Sequence, residues 1–83
     1  MRVVIRGWKW IIRSSRRRLK NMWGWCDSDK RTIVLCRTLK GRRHLDTVIH
    51  ELLHAAFYDL DEEAVRESAT DIANVLWRMG YRR

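Results

Sequence analysis

The chain has 83 residues, no proline, 18 Lys and Arg against 10 Asp and Glu, and a formal net charge of +8. One domain of this size buries only about 60% of its unfolded surface, so an added staple such as a metal ion suits it. Its apolar runs are too short for a membrane span, and two cysteines, Cys26 and Cys36, are too few for a disulfide framework.

The first half reads as short strands. Arg2–Ile5 and residues 8–13 are rich in Val, Ile and Trp and flank Arg6-Gly7, a hairpin turn by composition. Trp and charge interrupt residues 1–12, unlike a signal peptide, and the expected location is the cytoplasm. Residues 14–20 are polar and basic and read as a loop. Residues 22–26 and Thr32–Cys36 form a second pair of β-favouring runs around a turn at residues 27–30. Residues 1–43 hold 14 Lys/Arg and 2 Asp, a net of +12, whereas residues 44–83 hold 4 Arg and 8 acids, a net of −4. Such asymmetry marks either a polyanion partner or a solvated sheet surface.

The second half switches to helical spacing. Leu45, Val48, Ile49, Leu52, Leu53 and Ala56 form one apolar stripe. After a turn near Asp59-Leu60, Asp61 is a good N-cap, and Glu62 and Glu63 suit the helix dipole. The stripe that follows is Val65, Ala69, Ile72, Leu76 and Met79, and Gly80 ends it. The expected fold is α+β: a small antiparallel sheet of about three to four short strands, then two packed helices, all one domain.

Residues 50–54, His-Glu-Leu-Leu-His, match HExxH at every fixed position. Histidines four apart on a helix project from one face, so His50 and His54 can reach one metal ion. Glu51 lies to the side, where its carboxylate can take a proton from attacking water, the water being acidified by zinc. A catalytic zinc takes three protein ligands and an open position. His44 stands six residues before His50 in the same helix, so the third ligand is expected on the second helix, among Asp61, Glu62, Glu63, Glu67 and Asp71. Heights along two antiparallel helices choose among them. With about 1.5 Å of rise per residue, His54 and His50 stand roughly 8 and 14 Å above the turn, Glu67 about 10 Å, and Glu62 and Glu63 only a few ångströms. Glu67 is thus the expected ligand. Asp71, near 16 Å and level with His50, is the expected acceptor for the outer N–H of that histidine. The reading is one Zn2+ per chain on His50, His54 and Glu67.

HExxH followed by Glu67-Ser68-Ala69-Thr70-Asp71 resembles the gluzincin metallopeptidases, which pair HExxH with ExxxD on a later helix. The resemblance implies zinc on the Glu, an outer-sphere Asp, a peptide or protein substrate, and a small sheet over an active-site helix and a glutamate helix. Residues 45–82 carry most of it, with a weaker likeness at Trp23-Gly24-Trp25-Cys26-Asp27 and the basic strand that follows, and the compact hairpin is similar to minigluzincins and to small metallopeptidase-like proteins of bacteriophages. A phage origin would place it in the host cytoplasm. Large gluzincins also carry a subdomain that supplies an oxyanion donor. No such segment follows Gly80, which leaves Tyr58, Tyr81 or an Arg as substitutes. Loss of such a donor costs about a hundred-fold or more in rate.

Trp8 and Trp10 share strand parity, as do Trp23 and Trp25. These indoles either cover the core or, beside Arg16, Arg17, Arg18 and Lys20, form a stacking platform for nucleic acid. The strand of Trp23, Gly24 and Trp25 could also receive an extended substrate, with Gly24 allowing close backbone approach. The alternative to a peptidase is a zinc-stapled nucleic-acid-binding or regulatory module. Oligomeric state is not legible in the sequence.

Overall fold

In the computed structural model, which describes residues 1–18 and 20–82, four strands precede two helices: β1 (Arg2–Ile5), β2 (Trp8–Ser15), β3 (Gly24–Asp27), β4 (Thr32–Cys36), α1 (Arg42–Ala56) and α2 (Glu62–Arg78). The α+β order expected from the sequence is the one observed. Leu19, within the expected loop, lies outside the described residues.

β1 and β2 form a hairpin in which Ile5 pairs with Trp8. Its two-residue turn has positive φ at both positions, 49° at Arg6 and 84° at Gly7, the combination whose twist matches that of the strands. Arg6 also reaches across the molecule. Its Nη1 donates to the Ala56 carbonyl at 3.1 Å, and its guanidinium lies 5.1 Å from the Phe57 ring centre, tying the hairpin to the end of α1. β2 runs two residues beyond the expected boundary, because Ser14 and Ser15 pair with Leu35 and Cys36.

The sheet order is β1-β2-β4-β3. The β1–β2 and β3–β4 pairs are antiparallel, but β2 and β4 are parallel, so the sheet is mixed where an antiparallel one was expected. The Thr-Ile-Val-Leu-Cys run of β4 accounts for its central place in the sheet. Four of its five residues are buried, and a near-continuous apolar strand is stable only between neighbours with both faces covered. β3 is left as an edge.

Trp10, Ile33 and Leu35 form the centre of the core, with Val48, Leu52 and Ala55 of α1 packed on it. α1 therefore lies across one face of the sheet, against β3 and β4, and α2 packs on α1. α2 meets α1 through Val65, Ala69 and Ala73, all fully buried. Small side chains at this spacing let two helix backbones approach closely. Ile72 and Met79, expected in the stripe, are 40% and 67% exposed. Asp61 caps α2 by accepting from the Ala64 N–H at 2.8 Å, as the sequence implies. Asp46 of α1 accepts from the Thr70 hydroxyl of α2 at 3.0 Å.

Gly24 fixes how closely α1 approaches β3. A Cβ there would stand 2.9 Å from Thr47 Cγ2, 3.2 Å from the Val34 carbonyl oxygen and 3.3 Å from Glu51 Cγ. Gly24→Ala should therefore lower stability by about 1–3 kcal/mol, the usual cost of overpacking. Denaturant unfolding checks this, and an unchanged midpoint would mean that helix and strand are not in such contact.

Candidate metal centre

His50 and His54 stand one turn apart on α1, with ring centres 4.9 Å apart and Nε2 atoms 3.2 Å apart. Glu62, the first residue of α2, spans the pair. One carboxylate oxygen is 3.0 Å from His50 Nε2 and the other is 2.9 Å from His54 Nε2. Groups facing one another this closely need protons or a cation between them. Ligand atoms about 2.0–2.1 Å from a tetrahedral centre lie roughly 3.3 Å apart, close to the 3.2 Å between the two imidazole nitrogens, and a single Glu62 oxygen lies within 4.8 Å of both. The donor set thus fits a zinc-like cation. Among the described residues, this is the group whose donor atoms converge to within 4.8 Å. The histidines are half-buried, while the Glu62 side chain is 61% exposed, which leaves one side of the group open to solvent.

The third member differs from the one expected. Glu67 and Asp71 are exposed and stand outside this group, whereas Glu62 stands within it. The reason is azimuth. At 3.6 residues per turn, each residue steps about 100° round the helix. Val65, Ala69 and Ala73 then fall within about 80° of one another, and Glu62 falls inside that arc. Glu67 and Asp71 lie about 160° from its centre, on the far side of α2. Height along the helix favours Glu67, but its side chain leaves the wrong face. Extending the buried stripe back three residues from Val65 would have identified Glu62.

Glu51 is 7% exposed, the one buried charged residue among those described. Burial, and next the nearby charge of Glu62, push its carboxyl up from 4.5 to about 7. Its neighbour Cys26 is pushed up to about 11, again by burial first and then by Glu51, so the thiol stays protonated at neutral pH. Cys26 and Cys36 are both free, and Cys26 packs against the core.

These groups open into a cleft of about 510 Å³, with His50, Glu51, His54 and Glu62 on the helix side and Trp23, Gly24, Trp25 and Cys26 on the strand side. Tyr58 and Met22 complete its rim, and no Lys or Arg lines it. Trp23, Gly24 and Trp25, the residues expected to receive an extended substrate, all line this cleft. Of the other expected contacts, Arg16, Arg17, Arg18 and Lys20 are all exposed. Arg18 is engaged locally, stacked 4.0 Å from the Trp23 ring centre and donating to the Asn21 carbonyl at 2.9 Å. Trp10 is core, whereas Trp8 is 60% exposed beneath Arg31.

The chain matches no protein-family model, no curated protein and no solved structure. No helix among the described residues is long and apolar enough to cross a membrane.

The raised Glu51 carboxyl has a consequence for the metal-free protein. The folded state holds the proton more tightly than the unfolded chain, so ionisation costs nothing below about 4.5 and its full amount above about 7. Stability should fall across that window by up to about 3 kcal/mol. Glu51→Gln should remove this part of the pH dependence. Denaturant unfolding in chelator at the two ends of the window measures it, and an identical dependence in both proteins would contradict the burial.

Proposed function

We propose that the chain is a zinc-dependent peptidase, with the metal held by His50, His54 and Glu62 and with Glu51 as the proton-transfer group. The observation that carries this reading is the convergence of two imidazoles and a carboxylate beside a single buried glutamate. When bound, the metal supplies Lewis acidity, lowering the pKa of water towards about 7 and polarising a carbonyl.

The remaining steps fall to the chain's own residues. β3 is an edge strand whose free backbone groups border the cleft, and an extended peptide can add to it as a further strand. With its pKa near neutrality, Glu51 is suited both to take a proton and to return it. It takes the proton of the attacking water as the oxygen bonds to the carbonyl carbon. It then passes that proton to the nitrogen as the C–N bond breaks, so that carboxylic acid and amine leave together. For the developing oxyanion we assign the hydroxyl of Tyr58, which borders the cleft, whereas Tyr81 does not.

The HExxH part of the gluzincin resemblance supports the class of reaction, whereas its ExxxD part does not, because Glu67 and Asp71 stand outside the group and Glu62 takes the third place. The absence of basic residues from the cleft lining favours peptides with apolar or basic side chains over acidic ones.

Glu51→Gln should keep about one zinc per chain and lose roughly 10²–10⁴-fold in hydrolysis of a quenched-fluorescence peptide library. Metal analysis and initial rates on identically purified proteins provide the readout. Retained hydrolysis in the variant would remove the mechanism. Tight zinc binding with no hydrolysis by either protein would point to the alternative, a metal that staples a binding module.

A further inference from the structure

The charge of the first half is not absorbed by the fold. Residues 1–26 contain eight Lys and Arg and no acid. Among the described residues, Arg42 is the sole Lys or Arg in an ion pair. Strand register sorts these cations onto one surface. Val3, Trp10 and Ile12 face α1 and the core, so alternation turns Arg2, Val4, Lys9, Ile11 and Arg13 to the opposite side. Arg2 pairs with Ile11 and Val4 with Lys9, giving a checkerboard of cations and short apolar side chains. Lys9 and Arg13 stand about 13 Å apart along β2, with Arg2 level with the gap between them. The strand then ends in a turn closed by Ser15, whose Oγ accepts from the Arg17 N–H at 3.2 Å, leaving Arg16 and Arg17 exposed beside Arg13.

We propose that this outer sheet face is a nucleic-acid-binding surface, with Arg2, Lys9 and Arg13 and the Arg16-Arg17 turn contacting backbone phosphates. On β1 and β2 this face carries cations and no acid, Asp27 lying two strands away on β3, and such an array complements a polyanion of regular charge spacing. The exposed apolar residues on it are Val4 and Ile11, 69% and 43% exposed, and neither is the aromatic anchor that a membrane surface favours. The face is turned away from the cleft, so the inference stands whether or not the chain hydrolyses peptides. The shared ligand is the phosphodiester backbone, which the cations of β1, β2 and the following turn are spaced to meet. Single and double strands should therefore both bind without sequence preference.

The test is fluorescence anisotropy of the full chain with a labelled duplex and a labelled single strand, at about 50 and about 200 mM salt. Lys9→Ala/Arg13→Ala is compared with Arg66→Ala/Arg78→Ala, which removes the same charge from exposed positions of α2. The sheet-face variant should lose roughly ten-fold or more in affinity, and its log–log salt slope should shrink by about two. The α2 variant should stay within about two-fold of the parent. Arg2→Ala is a second, milder sheet-face change, and thermal melts confirm that each variant is folded. Equal losses in the two double variants would overturn the proposal in favour of diffuse charge. So would a sheet-face variant that loses binding to anionic phospholipid vesicles while keeping its hold on both oligonucleotides.

Discussion

Val65, Ala69 and Ala73 line the contact between the two helices, and their small size lets α2 press closely onto α1. That contact sets the rotation of α2 about its own axis, because turning it would expose the three residues and bury charged ones. With the rotation set, Glu62 faces the histidines and Glu67 faces solvent. The Asp61 cap starts the helix at the right residue, and the bond from Thr70 to Asp46 holds the register further along. The candidate metal centre is thus a by-product of apolar packing.

Electrostatics add a second constraint. Glu51 is held in the seam between α1 and β3, where its ionised form is disfavoured by burial and by Glu62. A cation between the histidines and Glu62 would oppose both effects, by neutralising Glu62 and by attracting the Glu51 carboxylate. Binding of such a cation would therefore be coupled to loss of the Glu51 proton. Gly24 contributes by leaving room for Glu51 Cγ against the strand.

Much of this was legible in the sequence because the relevant signals are local. HExxH in a periodic helix, the Asp61 cap, the Arg6-Gly7 hairpin and the unequal charge of the two halves all depend on residues near one another in the chain. Two features depended on distant ones. β4 takes a central place because a largely apolar strand needs a neighbour on each side, but the direction of its pairing with β2 is not written in either strand alone. The choice of Glu62 over Glu67 depended on which face of α2 is buried. Ile72 and Met79 blurred that face, since both are apolar and both are exposed. Alanines at 69 and 73 carry the true stripe, but Ala is a weak marker of burial in a sequence.

The molecule divides its chemistry between two sides: a cleft without cations beside the helices, and a sheet face without acids on β1 and β2. The centre on the helix side rests on the identity of the third ligand, and a competitive zinc titration of Glu62→Ala and Glu67→Ala tests it directly. Loss of a partner outside the ligand sphere costs about 10–100-fold in affinity, and loss of a ligand should cost more. The account predicts that Glu62→Ala loses over about a hundred-fold while Glu67→Ala binds like the parent. The reverse order of affinities would contradict it.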